Sequence, residues 1–203
     1  MPSPQKTPQD TFSYEDYQRW PDDERWEIID GQAYNMSPAP SVKHQDICRN
    51  IVEALLGGKI NKNKCRIYFA PTDVVLDDIN IVQPDVFVVC DANIITEKNI
   101  QGAPDLIIEV VSPSTEIKDR REKKFLYEKF GVGEYLIVFP EREYLERYTL
   151  MNSTYGPPEI FNWDETLPMV TFPDFAINLW HIFEKNQDEK PESKPSPATQ
   201  LSK

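Results

Sequence analysis

The sequence predicts an α/β fold built on a mixed central β-sheet, and three observations carry that expectation. The run Asp105-Leu106-Ile107-Ile108-Glu109-Val110-Val111 is apolar on both faces. Leu106, Ile108 and Val110 point one way, and Ile107 and Val111 point the other with Glu109 among them. Such a strand suits the middle of a sheet covered on both sides. A helical stretch to about Phe130 and a second apolar run, Glu134–Phe139, follow it and close a strand–helix–strand unit. Upstream, Gln83-Pro84-Asp85-Val86-Phe87-Val88-Val89 is another short apolar run with one carboxylate at its entrance.

Bulk properties set the frame. A chain of 203 residues, 39% hydrophobic and 11% aromatic, holds one domain with a real core. We expect a disordered segment over 1–10, a domain over 11–183 and a disordered tail over 184–203, because both ends are polar and Pro-rich. No run of about eighteen apolar residues is present, so no membrane span is expected. MPSPQKTPQD lacks the basic-then-apolar order of a signal peptide. Cys48, Cys65 and Cys90 are odd in number and widely spaced, which reads as three reduced thiols in a cytoplasmic protein. A net charge of −12 argues against a protein that coats nucleic acid nonspecifically.

In chain order, Ser13 caps a short helix that Pro21 ends. Arg25–Ile29 and Gln32–Met36 form a hairpin about Asp30-Gly31. Ser41 caps a helix of about sixteen residues whose Ile47, Ile51, Ala54 and Leu55 recur at helical spacing, with Gly57-Gly58 as its stop. Strands are expected over Cys65–Phe69 and Asp73–Leu76, a turn at Asp77–Asn80, and a polar loop over 91–104. Ser114 or Thr115 caps the helix after the Glu109 strand, and Gly131 and Gly133 break it. Glu143–Met151, Tyr155–Trp163 and Met169–Phe172 read as strands, and Ile177–Phe183 as a terminal helix or turn.

The chemistry lies in the carboxylates. An ionised Glu109 in a doubly covered strand is costly unless a cation compensates it. Asp85 at its own strand entrance poses the same question, and two such carboxylates side by side would seat a hard divalent cation. On the following helix Asp119, Lys123 and Tyr127 stand at i, i+4 and i+8 and share a face, leaving Ile117, Phe125 and Phe130 to pack on the sheet. A lysine beside such carboxylates suits phosphodiester hydrolysis, where it orients or deprotonates a water and neutralises growing charge.

These residues fall into an ordered pattern. It comprises Asp30-Gly31, Met36-Ser37-Pro38, His44, Gln83-Pro84-Asp85, Glu109 through Thr115, Asp119/Lys123/Tyr127, and Gly131-Val132 with Glu134-Tyr135. Over about residues 12–183 it resembles the Uma-two family within the PD-(D/E)XK nuclease superfamily. The resemblance implies a restriction-endonuclease-like fold, a mixed central sheet flanked by helices, with Mg²⁺ or Mn²⁺ at one end. It matches Asp85 to the aspartate of the PD motif, Glu109 to the acidic residue of (D/E)XK, and Glu27 to an acidic position that completes the metal site. The Val110 carbonyl would be a further metal ligand. Val111 stands where the superfamily has its lysine, and Lys123 fits the place of a lysine recruited from the helix. Asp119 would orient Lys123. Tyr127 is a core aromatic or a phosphate-binding hydroxyl, His44 is structural or a donor to substrate, and Gln83 touches the attacking water or ends the strand pairing.

The expected activity is metal-dependent endonucleolytic hydrolysis of DNA. The alternative is a weak or inactive nuclease-fold protein that binds nucleic acid or a protein partner. Residues 43–66 carry a local net charge of +4 and residues 118–129 one of +3, so an acidic protein could still offer DNA a positive groove. A homodimer is expected by analogy, since two strands need two sites, with region 144–172 as candidate interface.

Overall fold

A computed structural model describes residues 11–21, 23–36, 39–58, 60 and 64–186 of the chain. The terminal segments expected to be disordered, apart from 184–186, lie outside these residues, as do Ser37, Pro38, Lys59 and Lys62.

The N-terminal half builds a five-stranded sheet. Ser13 accepts from the Asp16 amide in a capping box that starts α1 (Tyr14–Tyr17). β1 (Trp26–Ile29) and β2 (Gln32–Asn35) pair antiparallel. Their two-residue turn holds Asp30 at φ 46° and Gly31 at φ 73°, the left-handed geometry that an Asp-Gly pair tolerates. α2 (Val42–Gly57) starts where the Ser41 hydroxyl accepts from the His44 amide, and it buries Ile47, Ile51 and Leu55. β3 (Arg66–Phe69), β4 (Val74–Asp77), β5 (Asn80–Val82), β6 (Val86–Val89) and β7 (Ile100–Gln101) follow. The five-stranded sheet runs β2-β1-β5-β4-β7.

The main sheet has seven strands. β8 (Leu106–Val110) is central and wholly buried. It pairs antiparallel with β6 and parallel with β9 (Glu134–Phe139). Beyond β9 lie β10 (Tyr144–Met151), β11 (Thr154–Tyr155) and β12 (Glu159–Asn162), and β3 is the opposite edge. The parallel β8–β9 connection is the expected crossover, carried by a helical run from Glu116 to Lys129. That run is α3 (Glu116–Lys118), one π turn over Asp119–Lys123, and α4 (Lys124–Lys129).

The two faces of β8 bury two different cores. Leu106, Ile108 and Val110 meet Ile47, Ile51 and Leu55 of α2. On that same face lie Leu167 of β13 (Thr166–Pro168), Ile177 of β14 (Ala176–Asn178), and Leu179 and Ile182 of α5 (Leu179–Ile182). Ile107 and Val111 meet Ile29, Val74 and Val82 of the smaller sheet and Leu126 and Tyr127 of α4. Both faces are covered, as the two-faced apolar pattern requires.

Several expectations are corrected. Cys65 and Cys90 form a disulfide. The antiparallel β3–β6 register sets Arg66 opposite Val89, so the two flanking cysteines face each other, and only the register reveals this. Cys48 alone is a free thiol. The cysteine count therefore lends no support to a reducing compartment. Met169–Phe172 is not a strand; the hairpin forms from Thr166–Pro168 and Ala176–Asn178, and Met169 turns into the core. Tyr155–Trp163 divides into β11 and β12 around Gly156-Pro157-Pro158, whose prolines cannot donate to a ladder. Thr115 stands at the helix start without a capping bond, because its hydroxyl accepts from the Ser112 amide. No helix among the described residues is long and apolar enough to cross a membrane.

Candidate active site

The site forms where the C-terminal end of β8 meets the entrance of β6. Val86 pairs with Ile108, and continuing that register by one residue sets Asp85 opposite Glu109. The strand pairing thus brings together the two carboxylates singled out in the sequence. They nevertheless serve two different environments.

Glu109 lies on the face shared with the small sheet and the crossover helix. Its Oε1 accepts from Lys123 Nζ at 2.8 Å and from the Tyr127 hydroxyl at 2.8 Å. Lys123 Nζ also lies 2.8 Å from Glu27 Oε1 and 3.7 Å from Asp119 Oδ1. Glu27 reaches the cluster from β1, where it is buried, and its Oε1 accepts from the Gln83 amide at 3.1 Å. Its Oε2 accepts from Lys118 Nζ at 2.7 Å. Asp119, Lys123 and Tyr127 therefore converge as their spacing predicts.

The orientation of the helix differs from expectation in one respect. The polar face packs against the sheet, and Ile117 and Phe125 are 67% and 59% exposed. Two buried glutamates hold the lysine inward more strongly than water would reward burying those two apolar side chains. The π turn serves this arrangement. Lys118 and Lys123 are five residues apart, the interval of a π turn's i→i+5 bonding, and both reach the Glu27 carboxylate. The Tyr135 hydroxyl donates to the Asp119 carbonyl at 3.0 Å within that turn. Lys118 was not singled out in the sequence, since on a regular α-helix it would not share the face of Lys123.

Asp85 faces differently. Its Oδ2 accepts from the Val110 amide at 2.8 Å and lies 3.2 Å from His44 Nε2. His44 reaches it from α2, and its Nδ1 lies 3.5 Å from Cys48 Sγ. His44 thus partners a carboxylate predicted to bind metal. Gln83 turns away from the site: Oε1 accepts from Arg25 Nε, and Nε2 donates to Asp73 and Tyr17. Its side chain ties Arg25, just before β1, to Tyr17 of α1 and to Asp73, just before β4.

Charge governs the cluster. Glu27, Glu109 and Asp119 face two lysines, Lys118 and Lys123, while Asp85 faces His44. Burial works against ionising Glu27, yet Lys123 and Lys118 outweigh it and hold that carboxyl at about 2. Burial pushes Glu109 up to about 8, aided by the charges of Asp119, Asp85 and Glu27 and opposed by Lys123. Burial likewise raises Asp119 to about 6. Burial would discharge Lys123, but Glu109, Glu27 and Asp119 surround it and hold it as the ammonium. These carboxylates favour Lys123 as the ammonium, the form that neutralises charge. His44 is raised despite burial, because the Asp85 hydrogen bond and charge, with the Val110 backbone, favour the imidazolium.

Asp85 and Glu109 offer oxygen donors of the kind a hard divalent cation takes, but among the described residues Glu27, Asp85 and Glu109 do not bring three donor atoms within 4.8 Å of one another. The hydrogen bonds to Glu109 fall on Oε1 and those to Asp85 on Oδ2, so the second oxygen of each is the one a cation would take.

Some of the basic residues expected to line a positive groove pair within the chain. Lys43 pairs with Glu141, Arg49 with Asp46 and Glu184, Arg120 with Glu146, and Lys129 with Asp30. The region proposed for dimerisation buries Leu145 and Tyr148 in the chain's own core and leaves Met151 and Ile160 as exposed apolar side chains.

Known proteins place the chain. A crystal structure of a putative nuclease belonging to DUF820, from Anabaena variabilis, superposes with a TM-score of 0.71 at 19% identity, covering 85% of this chain and 98% of that one. The fold is restriction-endonuclease-like. An uncharacterized protein of Synechocystis sp. is 30% identical over 127 residues, 62% of this chain. The match spans 64% of that relative's own length. The Uma2 family model, described as a putative restriction endonuclease, matches residues 14–179, and the chain belongs to that family.

Proposed function

We propose that the protein is a metal-dependent endonuclease that hydrolyses phosphodiester bonds in DNA. The observation that carries this reading is Lys123. It arrives from the helix after β8 and sits 2.8 Å from both Glu109 and Glu27, supplying the cation that Val111 cannot. Asp85, Glu109 and the Val110 carbonyl would hold Mg²⁺ or Mn²⁺, with Glu27 completing the acidic set. The ion would supply Lewis-acid polarisation of the phosphate and lower the pKa of an attacking water. Lys123 contributes a fixed positive charge beside the site where negative charge grows on phosphorus. Tyr127 and Asp119 position that charge and the Glu109 carboxylate. Lys118, partly exposed beside Glu27, stands at the open end of the cluster, where a phosphate would meet it. A homodimer would pair two such sites for two strands.

The test is cleavage of supercoiled plasmid and single-stranded DNA in Mg²⁺, in Mn²⁺ and in chelator. Nicking that requires the divalent ion supports the proposal. A folded protein that cleaves neither substrate under any of these conditions contradicts it. The closed ion-pair cluster of Lys123 with three carboxylates favours a second reading, a nuclease fold that binds without cleaving. DNA binding without turnover would identify it.

A further inference from the structure

Cys48 takes no part in the chemistry proposed above, yet it lies beside it. His44 and Cys48 are i and i+4 on α2, so they project from one face of the helix. That face points at the entrance of β6, where Asp85 waits. The candidate donor atoms of His44, Cys48 and Asp85 all lie within 4.8 Å of one another. Two direct contacts hold the group together, His44 Nε2 to Asp85 Oδ2 at 3.2 Å and Cys48 Sγ to His44 Nδ1 at 3.5 Å. The Val110 amide orients the Asp85 carboxylate from behind, and the His44 and Asp85 side chains are 12% and 20% exposed, so an ion from solvent has access.

We infer that His44, Cys48 and Asp85 form a binding site for a borderline-soft divalent cation of the Zn²⁺ type, distinct from the all-oxygen site of Glu109 and sharing only Asp85 with it. One imidazole nitrogen, one sulfur and one carboxylate oxygen make the donor set that such a cation selects and that Mg²⁺ does not. Three protein ligands leave a fourth position for water. Donor atoms in a tetrahedral site of this kind lie roughly 3.3–3.8 Å apart, from bonds of about 2.0–2.3 Å, so donors now within 4.8 Å of one another must draw together about a single ring nitrogen of His44. Binding takes Cys48 as the thiolate and His44 as the neutral imidazole, and both protons leave to solvent. Occupancy would withdraw Asp85 from the hard-ion site. Zn²⁺ therefore acts as an inhibitor of the Mg²⁺-supported reaction, and this consequence alone rests on the nuclease reading.

The probe is Co²⁺, titrated into the full chain with its disulfide intact and followed by absorption. Thiolate ligation gives a near-ultraviolet sulfur-to-cobalt charge-transfer band. The expected result is one equivalent of Co²⁺ with that band in the wild type. The band should disappear in Cys48→Ser and stay in Glu109→Gln. Affinity should fall at least tenfold in His44→Gln, and circular dichroism should confirm folding of each variant. No band in the wild type, a band that persists in Cys48→Ser, or its loss in a folded Glu109→Gln overturns the inference. Zn²⁺ should slow Mg²⁺-supported cleavage by the wild type and much less that by Cys48→Ser; equal inhibition of both overturns the competition. If the wild type cleaves no DNA, the nuclease reading fails while the cobalt spectrum still decides the site.

Discussion

Asp85 and Glu109 stand opposite each other in the register of adjacent strands, yet their side chains turn to different sides of the sheet. Glu109 lies in a buried cluster whose cation, Lys123, comes from the crossover helix, and burial lifts its carboxyl to about 8. Asp85 sits at a partly open edge against a histidine and a backbone amide. The contrast shows how one strand register can join two chemistries. The Glu109 half is preloaded with positive charge and strained by excess carboxylates, whereas the Asp85 half is accessible and has borderline donors beside it.

The largest effect expected is on turnover. Asp85→Ala and Glu109→Ala should each lower metal-dependent cleavage by about 10³-fold or more, since on the proposed mechanism each removes a ligand oxygen of the ion. A plasmid assay at matched protein concentration reads this, and a variant that keeps wild-type turnover would remove its residue from the centre. The halves should then part in stability. Lys123→Ala strands Glu27 and Glu109 without their shared cation and should cost about 3–5 kcal/mol in urea unfolding. Glu109→Gln should cost little, because it removes a carboxylate that burial already disfavours. Equal losses in the two variants would break the comparison.

Smaller effects sharpen it. Tyr127→Phe deletes one hydrogen bond to Glu109 and should cost about 1.5–3 kcal/mol. The pH dependence follows from Asp119, raised to about 6 from an ordinary 3.8. The folded chain holds that proton more tightly than the unfolded chain. The contribution is therefore intact below about pH 4 and is lost as pH rises through 6, and Glu109 extends the loss towards 8. Thermal midpoints of chelator-treated protein should carry this decline, and Asp119→Asn should flatten its lower part. A profile unchanged by Asp119→Asn would remove Asp119 from the balance.

Much of this was legible in the chain because local chemistry dictated it. Asp30-Gly31 set a hairpin, Ser41 capped α2, and the apolar pattern about Glu109 marked a strand covered on both faces. The i, i+4, i+8 spacing of Asp119, Lys123 and Tyr127 anticipated their convergence. What stayed hidden depends on register and on tertiary competition. The Cys65–Cys90 pair is set by how β3 slides on β6. The π turn that brings in Lys118 has no local signature, and Ile117 and Phe125 yielded the inner face to ions that only the folded sheet presents. The side chain of Gln83 follows Arg25, Tyr17 and Asp73, three partners remote in sequence.

The central claim is that a lysine moved from strand to helix completes a working nuclease centre. It is tested most directly by measuring Mg²⁺- and Mn²⁺-dependent plasmid nicking for wild type, Glu109→Ala and Lys123→Ala, each shown to be folded. The account predicts metal-dependent nicking by the wild type that both substitutions abolish. Nicking lost in Glu109→Ala but retained in a folded Lys123→Ala would contradict it.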